Sequence, residues 1–186
     1  MTHRERANLA LSHKEPDYVP VDVGGTHDTT CLLGSYLKLR EHLGTNGSPT
    51  PAHRWLGSVY LDEEMLSKLD VDFRPLAFPT PDYAETVHAD GTVTFDDEWG
   101  IRWKKPQGGL YFDVASFREI DSLEQVEKGI KWPTIDSRES GWLKSLDVLK
   151  NKAVDLRNNT NYATILDFGV APFTMVQLLH DVKRTL

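Results

Sequence analysis

Cysteine is nearly missing from these 186 residues. Cys31 stands alone, so no internal disulfide can form, and a secreted, stapled scaffold is excluded. Positive charge is also in deficit: 21 Lys and Arg face 28 Asp and Glu, for a net charge of −7. Such a field repels a phosphate backbone, so nucleic acid is not an expected partner. No apolar run approaches the roughly 20 residues that span a bilayer, and Met1 to Lys14 carries charges at Arg4, Glu5, Arg6 and Lys14 around only a short stretch without charge, unlike a leader peptide. The expectation is a soluble, cytoplasmic protein with no membrane partner. Internal repeats and low-complexity tracts are absent as well. The ordinary composition, 39% hydrophobic and 26% charged, predicts one domain over residues 1–186.

What is present reads first as punctuation. Thr2-His3-Arg4-Glu5 is a capping-box pattern that predicts a short helix to about His13, ended by Pro16. Val19 to Val23 is a β-rich run stopped by Gly24-Gly25, with Pro20 confined to its beginning. Leu32, Leu33, Tyr36, Leu37 and Leu43 recur at helical spacing, and Gly44 is placed as a stop. The Gly-, Pro-, Ser- and Asn-rich stretch from Thr45 to Trp55 reads as a surface loop. Asp62 caps a short helix through Leu69, and Val71 to Phe78 forms a second strand-like run, broken at Pro79 and Pro81.

The next segment changes character. Thr86 to Phe95 alternates around Asp90-Gly91, a dipeptide suited to a tight hairpin turn, and Trp99 to Trp103 and Leu110 to Val114 add strands to it. Ser122-x-x-Gln125 starts a short helix that Gly129 closes, and Trp132-Pro133 turns the chain. After Ser137, the stripe Trp142, Leu146, Leu149, Ala153 and Leu156 marks a long amphipathic helix. Tyr162 to Phe168 is a third strand, and Gly169 to Pro172 leads into a last helix bearing Met175, Val176, Leu179 and Val182. The fold class expected is α/β: a partial (β/α)8 TIM barrel of about three βα units with an inserted antiparallel hairpin region. A complete barrel needs eight strands and typically about 250 residues. Three strands leave an open edge, so either self-association or a missing C-terminal barrel half is expected to cover it.

Several stretches carry a family resemblance: Arg4-Glu5-Arg6, His13 to Asp17, Val19 to Asp22, Tyr36-Leu37 with Leu39, and Leu43-Gly44. Further on come Leu69 to Arg74, Asp97 to Ile101, Trp132-Pro133 and Phe168 to Thr174. In this order they resemble the N-terminal half of the uroporphyrinogen decarboxylase-like family, specifically its corrinoid-linked methyltransferase branch. The resemblance implies a single barrel domain, of which residues 1–186 are the N-terminal portion, with its pocket at the carboxyl ends of the strands. It also implies a methyl group moved between a small methylated substrate, a corrinoid protein and a thiol. Zinc and corrinoid are the implied cofactors, the zinc ligands belonging to the second half, so no cofactor site is complete in this chain. The isolated chain is therefore expected to be catalytically incomplete, and whether it is an enzyme by itself stays open.

True decarboxylases of the family hold their tetrapyrrole carboxylates with two arginines, an aspartate and a tyrosine. Those places fall near Gly25, Thr29, Pro79 and Leu178, and none matches. Neither Gly nor Thr replaces a bidentate guanidinium, so porphyrinogen decarboxylation is not expected, though a lyase lacking the usual arginines remains an alternative. Another alternative, from a different class, is a non-catalytic, self-associating binding module.

Pocket candidates follow from the strand ends: Asp22, Gly24, Gly25 and His27 after the first expected strand, Arg74 in the second, and Asp167 near the third. Asp22 or Asp167 can carry a proton or orient a ligand, or each can simply cap a turn or pair with a base. Gly24-Gly25 lets the backbone approach a ligand or merely makes a turn. His27 and Cys31 are four apart, but with no third ligand nearby no metal site is assigned and Cys31 reads as a small apolar residue. Trp99, Trp103, Tyr111 and Phe112 form either a surface for a planar ligand or the cover of a core. His53, His88 and His180 are expected to be solvated, and Asp96-Asp97-Glu98 to be an exposed acidic turn. No catalytic residue is assigned.

Overall fold

The computed structural model describes residues 1–78, 82–97, 99–114, 122–129, 131, 141–169 and 172–180. In chain order its elements begin α1 (His3–Leu11), β1 (Cys31–Leu32), α2 (Leu33–Leu43), β2 (Thr50–His53), β3 (Ser58–Tyr60), α3 (Glu63–Lys68) and β4 (Phe73–Ala77). They continue with β5 (Thr86–Val87), β6 (Val93–Asp96), β7 (Arg102–Lys105), β8 (Asp113–Val114), α4 (Leu123–Gly129), α5 (Gly141–Asn159), β9 (Ala163–Asp167) and α6 (Pro172–His180). The chain divides into two compact units, Met1–Thr80 with Ser137–Gly169 and Pro81–Asp136 with Val170–Leu186.

In the first unit local chemistry sets the helix ends. Thr2 and Glu5 complete the capping box, Glu5 N donating to Thr2 Oγ1 at 3.2 Å and Thr2 N to Glu5 Oε2 at 2.8 Å. Gly44 ends α2 in the left-handed region at φ 63°, and the Asp62 carboxylate caps α3 by accepting from Met65 N at 3.1 Å. Arg4 secures the end of α5: its guanidinium donates to the carbonyls of Leu156, Arg157, Thr160 and Tyr162. Leu156 and Arg157 are among the last carbonyls of α5, which a helix C-terminus leaves without intrahelical partners, and Thr160 and Tyr162 belong to the segment that follows it.

Two sheets share this unit. β1, β3 and β2 pair antiparallel in that order, and β4 pairs parallel with β9 from Phe73 opposite Ala163 to Ala77 opposite Asp167. The core gathers Tyr36, Val59, Leu61, Met65, Leu66 and Val71, with Val23, Cys31, Leu39, Leu43 and Leu69 packed against it. Each large apolar side chain withdrawn there contributes about 1.5–3 kcal/mol. Along α5 the expected stripe is partly realised: Leu149 is buried, Ala153 and Leu156 are half-buried, and Leu146 is exposed.

The chain is mixed α/β, but its described residues do not close into a barrel, and only β4 and β9 pair parallel among them. The strand expected over Val19 to Val23 does not form. Asp72 N donates to Val21 O at 3.0 Å, yet Val21 N donates to the Asp72 side chain at 2.7 Å, so a carboxylate takes the place of a ladder carbonyl. Pro20, which has no N–H, cannot extend the ladder. The expected loop from Thr45 to Trp55 also differs, since β2 lies within it.

The second unit holds the antiparallel excursion. β5, β6, β7 and β8 form a four-stranded meander, with Asp90-Gly91 at its first turn and Thr92 N donating to Asp90 Oδ1 at 2.9 Å. Phe95, Ile101, Trp103, Phe112 and Val114 are buried. Ser122 Oγ accepts from Gln125 N at 3.3 Å ahead of α4, as the capping pattern predicts. The turn expected at Trp132-Pro133 lies outside the described residues.

Candidate functional site

Asp167 ends β9, and the residues that reach it come from three separate segments of the first unit. The loop after Val21 is built to deliver one of them. Gly24 adopts φ 95°, a conformation side-chain-bearing residues rarely take, and its N–H donates to Thr29 O at 2.9 Å. Asp22 accepts from Gly25 N at 2.8 Å, and a Cβ at Gly25 would run into that carboxylate. Thr26 and Thr29 bond to each other through their hydroxyls at 3.2 Å, and Thr30 Oγ1 donates to Val59 O at 2.5 Å. The loop is thereby fastened to β3, whose last residue is Tyr60.

His27 occupies the centre of that loop and is 7% exposed; Asp167 is 6% exposed. The His27 backbone N–H donates to Asp167 Oδ2 at 2.6 Å, and the ring Nδ1 lies 2.9 Å from Oδ1 and 3.1 Å from Oδ2. Tyr60 OH donates to Oδ2 at 2.5 Å and Gly169 N to Oδ1 at 2.9 Å. Burial acts to raise the Asp167 carboxyl, but the hydrogen bonds from Tyr60, Gly169 and His27 outweigh it and hold it below the usual carboxylate value. Burial and the bond to Asp167 push the Tyr60 phenol well above its ordinary value, so Tyr60 remains a donor.

A second histidine adjoins the first. The His53 ring, at the end of β2, lies 5.0 Å from that of His27 between centroids, and Trp55 meets it edge-on at 4.0 Å. Its Nδ1 is buried without a hydrogen-bond partner. Burial and then His27 lower the imidazole to about 4, against the opposing pull of Asp167 and Asp28. The expectation of a solvated His53 is therefore corrected, because pairing with β3 draws the end of β2 inward. His88 is exposed and bonds Thr94 Oγ1 at 2.9 Å, while the side chain of His180 lies outside the described residues.

Of the six pocket candidates, the fold joins His27 to Asp167 and uses Asp22, Gly24 and Gly25 to shape the loop between them. Arg74 is engaged elsewhere. It forks onto Glu63 at 2.8–3.1 Å, donates to the carbonyls of Val71 and Phe73, and lies 3.4 Å over the Tyr162 ring. Tyr60 and His53 carry no sequence signal for this role: one closes a short apolar run and the other sits in a stretch that reads as loop.

The arrangement suits proton movement. Each ring nitrogen of His27 faces an acidic side chain, Nδ1 the ionised Asp167 at 2.9 Å and Nε2 the exposed Asp28 carboxylate at 3.4 Å. Metal chemistry does not fit what is described: no three His, Cys, Asp or Glu side chains gather as a metal site among the described residues. No step here is routed through zinc. Of the aromatic candidates in the second unit, Trp103 and Phe112 are buried in the core of the meander, Trp99 is half-buried and Tyr111 is exposed. In the same unit, Asp96 pairs with Arg102 at 2.7 Å, Asp97 accepts from the backbone N–H groups of Trp99 and Ile101, and Glu98 lies outside the described residues.

The sequence matches no family model and no curated protein, and the fold matches no solved structure. No helix among the described residues is long and apolar enough to cross a membrane.

Proposed function

We propose that residues 1–186 are the N-terminal part of a corrinoid-linked methyltransferase of the uroporphyrinogen decarboxylase-like type, inactive by themselves. The observation that carries the reading is the convergence of His27 and Tyr60 on Asp167, with His53 beside the His27 ring, at the carboxyl end of the parallel β4–β9 pair. In barrels built from such pairs, that end is where ligands bind. The backbone bond from Asp72 N to Val21 O, just ahead of β4, is in keeping with a neighbouring barrel segment there. On this reading a second barrel half supplies the zinc ligands, and the partners are a corrinoid protein and a small methylated substrate. The test is methyl transfer from methylcobalamin to a thiol, with zinc content measured on the purified 186-residue chain. Neither turnover nor stoichiometric zinc is expected. Robust transfer with one zinc per chain would overturn the reading, as would a gene whose frame carries no second barrel half beyond the codon for Leu186.

A second reading, a self-associating binding module, draws on one further observation. Among the described residues β9 pairs only with β4, and Leu166 and Phe168 at its end are exposed. An edge of that kind invites pairing with another chain. Light scattering over a range of concentrations tests it, and a monomer throughout would remove it.

A further inference from the structure

A cleft in the first unit lies at the amino end of β9, the opposite end of the strand from Asp167, and the inference drawn from it does not rest on methyl transfer. It measures about 610 Å³, within the range of about 300–1,000 Å³ usual for small-molecule sites. We infer that it binds an amphipathic monoanion, a carboxylate carried on a hydrocarbon chain. Arg157 and Arg4 meet the carboxylate, and the apolar walls cover the chain.

Three observations select this ligand class. The first is space. Helices α1 and α5 both pack against β9, but the cleft they form with it is lined by alanine on all three elements, at Ala7, Ala153 and Ala163. A single methyl group at each place leaves open a volume that larger side chains would fill. The second is the character of the walls. Leu11, Phe73 and Ile165 line the cleft together with the uncharged Asn8 and Thr164. An inorganic anion would leave those apolar groups in water, whereas a hydrocarbon chain removes them from it.

The third is charge. In a chain of net charge −7, the charged residues that line this cleft are Arg4 and Arg157, with no acidic residue beside them. The Arg157 side chain is exposed and has no hydrogen-bond or ion-pair partner among the described residues. Arg4 spends four of its five guanidinium hydrogens on the carbonyls of Leu156, Arg157, Thr160 and Tyr162. Carbonyls leave its formal charge in place, so both arginines are available to a carboxylate. The C-terminal end of α5 carries about half a negative charge, which opposes a dianionic phosphate more strongly than a singly charged carboxylate.

Decanoate serves as the probe at pH 7, where its carboxylate is ionised, with decanol as the chain alone and acetate as the carboxylate alone. Isothermal titration calorimetry on the 186-residue chain is expected to find one decanoate per chain. Decanol and acetate are each expected to bind at least about tenfold more weakly. Arg157→Gln should weaken decanoate about tenfold, the equivalent of one charged hydrogen bond, and leave decanol unchanged. Ala153→Leu should abolish decanoate binding by filling the cleft. Leu11, which is 77% exposed, lies at the rim, and Leu11→Glu should weaken decanoate by placing a like charge there. Circular dichroism reports which variants fold, and the two exposed positions keep the test open if Ala153→Leu does not. Absence of saturable binding, several decanoates per chain, decanol bound as tightly as decanoate, or an affinity unchanged in Arg157→Gln and Leu11→Glu would each overturn the inference. So would a dimer in light scattering that decanoate disperses, since a second copy of the chain would then be the occupant.

Discussion

Two buried aspartates mark the opposite ends of the parallel pair, and the chain treats them differently. Asp72 immediately precedes β4 at the amino end and is completely buried. Its carboxylate meets a guanidinium: Arg6 Nη1 lies 2.5 Å away, His3 Nδ1 2.7 Å, and Val21 N 2.7 Å. Arg6 in turn forks onto Asp17 at 2.7 and 3.0 Å and stacks 3.5 Å over Tyr18. Asp167 at the carboxyl end is nearly as buried, but its bonds come from a phenol, an imidazole and two backbone amides. In both cases burial raises the carboxyl and hydrogen bonds lower it further, so both aspartates are ionised in the fold. The difference teaches what each end is for. A permanent cation balances Asp72, whereas Asp167 is held by a phenol, an imidazole and backbone amides.

The largest effect is expected at the amino end. Asp72→Asn removes the charge that balances a buried guanidinium and leaves an amide facing Arg6, His3 and Val21 N, three groups directed at a carboxylate. Breaking a buried pair from one side costs about 3–5 kcal/mol, and because Asp17 still holds Arg6 the lower end, about 3 kcal/mol, is expected. Urea unfolding of the variant against the unmodified chain measures it. The linkage has a definite sign: a carboxyl whose folded pKa lies below the ordinary 3.8 stabilises the fold above that pH. The stability is lost as pH falls through the folded value, and Asp72→Asn should remove its share of that acid loss. A loss below about 1 kcal/mol would mean that the amino end does not depend on charge pairing, and the contrast between the ends would collapse.

A smaller, pH-dependent effect is expected at the other end. His53 is held at about 4 against an ordinary value of 6.5, chiefly by burial. The unfolded chain therefore binds the proton first as pH falls. Stability from this group is complete above about 6.5 and declines steadily down to about 4, the reverse of a histidine that gains an acidic partner. His53→Phe keeps a flat ring against Trp55 and removes the titration. The urea midpoint of the unmodified chain should drop between pH 7 and pH 4.5, and that of His53→Phe should drop less. Equal slopes would show that the proton-active character assigned to the carboxyl end is misplaced.

How much of this was legible in the sequence follows from range along the chain. Thr2 with Glu5, Asp62 ahead of α3, Gly44 after α2 and Asp90-Gly91 in the hairpin all act over four residues or fewer, and each lies where its pattern predicts. β4 and β9 were readable as apolar runs. The Val19 to Val23 strand was misread because its pairing depends on Asp72, a side chain 51 residues away that supplies the acceptor. At the candidate site His27 and Asp167 were named from their places after expected strands, but nothing local joins residues 140 apart. Tyr60 and His53 were invisible for the same reason. A phenol that bonds across 107 positions leaves no periodicity behind, and β2 lies in a stretch whose Gly, Pro and Asn content outweighs its strand character.

The smallest effect is the sharpest test of the comparison. Tyr60→Phe removes one of the donors to Asp167 Oδ2 and keeps the ring, leaving Asp167 with the two backbone amides and the His27 imidazole. A net hydrogen bond is worth about 1 kcal/mol, and a loss of that size is expected in urea unfolding at pH 7. If the carboxyl end is held by shared, individually modest donors, the loss in Tyr60→Phe should shrink towards zero when Asp167→Asn is already present, since the two act on one bond. If instead Tyr60→Phe costs about 3 kcal/mol, as much as Asp72→Asn, then the phenol dominates its end as strongly as the charge of Asp72 does the other. The two ends would then differ in chemistry but not in how strongly each depends on one partner.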